Sequence, residues 1–111
     1  MDTELIKGTL ALLILSLLKR RPMYGYELAA TVKQETDGAF DWKAGSLYPC
    51  LHKLEKDGLV RAEWEGRPEG RQRKYYHLTR DGETVLAERI QAWSSISQAV
   101  NRVLENPHEH E

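Results

Sequence analysis

The 111-residue chain is the size of one small domain, 41% hydrophobic and 30% charged, an ordinary composition for a soluble globular protein. A domain of this length buries only a modest fraction of its surface, so a partner chain would add stability. Net charge is −1, but residues 1–80 carry 14 Lys and Arg against 11 Asp and Glu, whereas residues 81–111 carry 2 against 6; the front of the chain can face a polyanion and the back cannot.

The longest apolar run, Leu10 to Leu18, is about half of what a bilayer requires and is flanked by Lys7, Lys19, Arg20 and Arg21, so it reads as a core helix. Asp2 and Glu4 stand where a secretory signal would be positive. The single cysteine excludes an internal disulfide and fits a reducing cytoplasm. The expected location is cytoplasmic.

Taken in chain order, Thr3–Arg21 reads as a first helix, with Leu5, Gly8, Leu12, Leu15 and Leu18 in one stripe, and Pro22 ends it. Tyr24 to about Gln34 reads as a second helix that buries Tyr26, Leu28, Ala29 and Val32 and stops at Asp37–Gly38. A third helix runs to about Asp57. Ser46 is its expected N-cap, Pro49 falls in its first turn and Gly58 supplies the left-handed residue after its end. Leu47, Cys50, Leu51 and Leu54 face inward, which leaves Tyr48, Pro49, His52, Lys53 and Lys56 outside.

Residues 59–64 alternate with Val60, Ala62 and Trp64 on the core side, and residues 72–78 (QRKYYHL) alternate with Tyr76 and Leu78 inward. Together they predict a hairpin with a tip of six or seven residues. Thr79 is the next N-cap. A helix follows from about Arg80 to Leu104, with Leu86, Ile90, Trp93, Ser97, Val100 and Leu104 at heptad spacing and Ile96 and Val103 beside them. Residues 106–111 read as a flexible tail.

Helix, helix, helix, strand, strand and long helix is the winged helix-turn-helix plan. The fold class expected is mainly α (α+β), a winged helix-turn-helix over residues 1–78 with a C-terminal dimerisation helix over 79–105. A helix fits the major groove, and its N-terminal residues reach base edges and phosphates. Ser46, Tyr48, Pro49, His52 and Lys53 give the third helix a polar, stiff outer face for that purpose. The segment 67–74, RPEGRQRK, sets Arg67, Arg71, Arg73 and Lys74 against one Glu69, a basic tip suited to phosphates or the minor groove.

No phosphate loop, nucleophile elbow or HExxH is present, so no enzyme, cofactor or metal site is expected. The spacing leaves open whether Trp93 packs into a dimer core or, beside the small Ser97, lines a cavity for a flat apolar ligand. A protein-interaction module on the same scaffold is the alternative to a DNA binder.

GTLALLILSLL (8–18), PMYGYELA (22–29), AGSLYPCLHKLEKDGLV (44–60) and RKYYHLTRDG (73–82) resemble, in order and spacing, the PadR family of bacterial transcriptional regulators, over nearly the whole chain. The resemblance is to the short subfamily with one C-terminal helix. It implies a homodimeric repressor on a palindromic, double-stranded operator. Tyr24, Ser46, Tyr48, Pro49 and Lys53 would approach the DNA from the helices, and Arg71, Arg73 and Lys74 from the wing. Ala92–Trp93 also resembles the multidrug-binding branch, which implies a pore for a planar aromatic or drug-like effector, completed by Leu5, Gly8 and Leu12. Leu86, Ile90, Ile96, Val100 and Leu104 would form the dimer contact.

Overall fold

The computed structural model describes residues 3–106, with side chains from residue 8 onward. Its order is α1 (Thr3–Arg20), β1 (Met23–Tyr24), α2 (Gly25–Glu35), α3 (Ala44–Lys56), β2 (Val60–Gly66), β3 (Gln72–Leu78) and α4 (Arg80–Leu104). The strands form an antiparallel sheet in the order β1-β3-β2. β2 and β3 pair from Val60↔Leu78 to Gly66↔Gln72, and β1 adds Met23↔Tyr76 and Tyr24↔Tyr75. The winged helix-turn-helix expected from the sequence is the fold observed. No helix among the described residues is long and apolar enough to cross a membrane.

The core is built where these elements meet. Leu10, Ile14, Leu15, Leu17 and Leu18 of α1 pack with Leu28 and Val32 of α2, Leu47, Leu51 and Leu54 of α3, and Met23, Val60 and Tyr76 of the sheet. The three leucines of α3 recur at helical spacing, so burying them turns Tyr48, Pro49, His52 and Lys53 to the surface. α3 ends as its glycine predicts. Gly58 takes φ 77°, its amide donates to the Glu55 carbonyl (3.0 Å), and the Leu59 amide donates to the Leu54 carbonyl (2.9 Å), a Schellman closure.

Several expectations are corrected. α3 begins at Ala44 behind Lys43, not behind Ser46, so Ser46 is the third helical residue and Pro49 the sixth. The Leu47 amide already bonds the Lys43 carbonyl (2.9 Å), so Pro49 lies in the second turn and deprives the exposed Gly45 carbonyl of its helical donor. Leu28 and Val32 are buried as expected, but Tyr26 is 72% exposed and Gly25 is buried in its place. Trp64 keeps the core-side parity of Val60 yet lies past the end of the core, 67% exposed. The hairpin connection has five residues, 67–71, because pairing continues out to Gly66↔Gln72. Two-residue β1 has no alternation to announce it.

Thr79 caps α4 as expected. Its hydroxyl accepts from the Gly82 amide (3.0 Å) and donates to the Gly58 carbonyl (2.7 Å), tying the start of α4 to the end of α3. Beyond this anchor α4 leaves the core. Leu86, expected at the dimer contact, is buried among the chain's own residues (2% exposed) and belongs to the core of the chain itself. Further along, Ile90, Trp93, Ile96, Val100 and Leu104 remain uncovered. The arm makes the molecule elongated, 72 × 28 × 21 Å.

The α4 anchor has no room for a side chain at Gly82. A Cβ there would lie 2.1 Å from the Leu59 carbonyl oxygen and 2.6 Å from Leu78 Cδ1. Gly82→Ala is expected to lower stability by about 2 kcal/mol, since backbone and not a mobile side-chain end must yield; a wild-type urea midpoint for the variant would contradict this packing.

Candidate nucleic-acid interface

Three elements converge on a cleft of about 350 Å³, formed by the N-terminus of α2, the outer face of α3 and the paired strands of the wing. Among the residues expected to touch DNA, Tyr24, Tyr48, His52, Arg71, Arg73 and Lys74 line it together. Ser46, Pro49 and Lys53 are exposed on α3 but outside the cleft, and Arg67 is on the wing turn. Lys53 bonds Asp57 one turn on (2.9 Å), an exposed pair that water screens.

Tyr48 reaches the cleft because α2 opens with a glycine. The Tyr48 hydroxyl would be 2.2 Å from a Cβ on Gly25, so its ring occupies the space that any other residue would fill. Tyr24, the N-cap of α2, stands edge-on to Tyr75 (centroids 5.4 Å) and lies near Tyr26 (6.5 Å). The Arg73 guanidinium sits 4.7 Å above the Tyr24 ring, which orients the cation without neutralising it. Lys74 is steered similarly by the Tyr76 ring at 5.8 Å, with Glu55 at 4.0 Å.

Arg67 and Arg71 form no ion pair with any described residue. Burial raises the Tyr76 hydroxyl above the usual tyrosine range, with Glu55 and then Tyr48 adding to the effect, so it stays protonated beneath the cleft.

The outward face of the hairpin carries carboxylates beside Arg73, which pairs in register with Glu65. His77 Nε2 lies 2.9 Å from Glu65 Oε2 and 3.5 Å from Glu63 Oε1, and Arg61 also bonds Glu63. Glu63, Glu65 and His77 bring potential ligand atoms within 4.8 Å of one another, but their mutual pairing and Arg61 already account for them as a cross-strand cluster. Period-two alternation turns these carboxylates away from the core side, where Lys74 lies.

Two further cavities differ in character. A groove of about 900 Å³ runs between α2 and the start of α3 past Tyr26, Ala29, Trp42 and Leu47. It is larger than the cleft, but its one cation, Lys33, faces Asp41 at 3.9 Å, so it does not suit a polyanion. The Trp42 Nε1 buried beside it has no acceptor among the described residues.

A cavity of about 310 Å³ lies between α1 and α4, lined by Gly8, Leu12, Arg89, Ala92, Trp93 and Ile96. It unites Gly8, Leu12 and Trp93 of the expected effector site. Ser97 is not in its wall, and its hydroxyl is turned to the Ser94 carbonyl (3.2 Å); Leu5 falls outside the described side chains. Cys50 is half-buried on the edge of α3, and burial raises its thiol despite the opposing charge of Arg89, which makes it a poor nucleophile.

Sequence reasoning missed Gly25, Tyr26, Trp64 and Gln72, all of which line the cleft. Helical periodicity hid Tyr26 and strand parity hid Trp64. Only PMYGYELA, where a glycine follows the tyrosine cap, carried a usable signal for Gly25.

The model of the transcriptional regulator PadR-like family matches residues 14–88. A PadR family transcriptional regulator from Eggerthella lenta superposes with a TM-score of 0.78 at 38% identity, covering 92% of this chain and 87% of that one. A transcriptional regulator from Clostridium thermocellum superposes with a TM-score of 0.84 at 26% identity, covering 92% and 96%. Transcriptional regulator YqjI of Escherichia coli is 30% identical over 93 residues, which are 84% of this chain and 43% of that protein.

The seat of Tyr48 is testable. Gly25→Ala is expected to expel the Tyr48 ring from the cleft while leaving the helix content intact. The Tyr48 ring resonances would shift in NMR spectra and its iodination would speed up; unaltered resonances would show that the ring does not depend on Gly25.

Proposed function

The chain belongs to the PadR-like family of transcriptional regulators, which are DNA-binding proteins and not enzymes, and from that premise we propose that it represses transcription by binding a palindromic operator as a homodimer, in the cytoplasm. The observation that carries the proposal is the cleft in which Tyr48 and His52 of α3 face Arg71, Arg73 and Lys74 of the wing. In this reading α3 enters the major groove with Tyr48 and His52 toward the bases, and Ser46, Pro49 and Lys53 flank them. Arg67, Arg71, Arg73 and Lys74 take phosphates and Tyr24 supports them.

The stripe from Ile90 to Leu104 on α4 is the dimer contact. Trp93 is 52% exposed and Ile96 60%, an apolar surface that water would cover at a cost in the monomer. A second α4 would cover it and set two copies of α3 roughly 34 Å apart, one DNA turn. The cavity beside Trp93 opens on the same stripe, so a flat aromatic ligand there would shift the two halves and misplace the readers. Arg89 in its wall favours a neutral or anionic ligand.

A duplex selected by the protein from a random pool provides the test. Replacing Arg73 and Lys74 by Ala together is expected to weaken binding to all duplexes and to lower the slope of log affinity against log salt by about 2. An unchanged slope would remove the wing from the interface.

For the effector, anthracene-9-carboxylate should quench tryptophan emission saturably in the wild-type chain and not in Trp93→Ala. Quenching that survives in the variant would move the site elsewhere.

A further inference from the structure

Trp64 is an exposed aromatic on the wing that the core does not account for. Its indole is 67% exposed although its strand parity is that of buried Val60. It stands opposite Lys74 in the register, two residues before the last pair Gly66↔Gln72, about 7 Å below the wing turn. It lines the cleft shared by Tyr48 and His52 of α3 and by Arg71 and Arg73 of the wing. A large apolar ring held in water among cations is the expected free state of an interface anchor.

We propose that Trp64 is a DNA-positioning residue. Its ring packs on a deoxyribose of the strand that passes between α3 and the wing, and its Nε1–H donates to an adjoining phosphate oxygen. This rests on the proposed reading of the cleft as the DNA interface and deepens it. The four wing cations attract any phosphate at any register, because their contact is ionic and long in reach. An indole on a sugar face acts only at contact distance, and so fixes how deeply the wing sits. Its contribution is largely non-ionic, which separates it from the arginines: losing it lowers affinity without altering the number of counterions released.

The test uses the full chain and the duplex selected from a random pool. Trp64→Ala is expected to weaken binding about tenfold or more while the salt slope stays at the wild-type value. Trp64→Phe, which keeps a ring and loses the donor, is expected to fall between the two. In the wild-type chain the duplex should quench tryptophan emission, and in Trp64→Phe the quench should largely disappear, since Trp42 is buried and Trp93 lies on α4.

Thermal melts of both variants should match the wild type, because an exposed side chain supports no core; if Trp64→Ala melts early, Trp64→Phe serves for every comparison. Wild-type affinity in both variants, or a quench that persists in Trp64→Phe, would overturn the role of Trp64 and leave the interface standing. A wild-type chain that prefers no duplex would overturn the functional reading, and this inference with it. A reduced salt slope in Trp64→Ala would mean that the indole acts only by placing the cations, contrary to the proposal.

Discussion

The cleft depends on one strand being held at both edges over one buried ring. β3 is the central strand, and Tyr76 within it pairs with Met23 on one side and Ala62 on the other while its side chain is sealed in the core. Arg71, Gln72, Arg73 and Lys74 lead directly into that residue, so the positions of the wing cations follow from it. A slip of one residue would reverse every side chain on the hairpin and carry Tyr76 to the surface. The depth of burial of one tyrosine thus protects the register of a surface that has little packing of its own.

Charge is distributed by the same geometry. The hairpin carries carboxylates as well as cations: Glu63 and Glu65 contact His77 and Arg61 on the outward face, which Arg73 shares, while Lys74 lies on the core side. The Tyr24 ring holds Arg73, and Lys74 lies between the Tyr76 ring and the Glu55 carboxylate. A ring orients a cation and leaves its charge available, as Tyr24 does for Arg73. A chain of net charge −1 can in this way present a cationic surface where phosphates would lie.

Much of this was legible in the sequence where a periodic pattern met a terminator. The α3 leucines with Gly58, the QRKYYHL alternation and the Thr79 cap gave element types, and for β3 and α4 the bounds. Where pattern and packing part, the reading failed. Trp64 obeys the period of its strand but the core ends before it, which only tertiary structure reveals. Ser46 has the chemistry of an N-cap, yet Lys43 takes the position because the chain reaches helical geometry three residues earlier. Leu86 fits the heptad of the arm and the core of the body alike, and spacing cannot say which one owns it. Gly25 and Tyr48 are distant in sequence, so their contact left no local trace.

That contact has a bearing on how fast and how tightly the surface engages. With the Tyr48 ring lodged where Gly25 lacks a side chain, and its helix fastened at the far end by Gly58 and Thr79, this face of α3 holds its shape before any ligand arrives. The entropy of ordering that ring is met during folding and is not charged again on association. Changes at this seat would accordingly be felt as shorter residence times and not as slower encounter, because diffusion and charge govern the approach while a preorganised ring governs the departure.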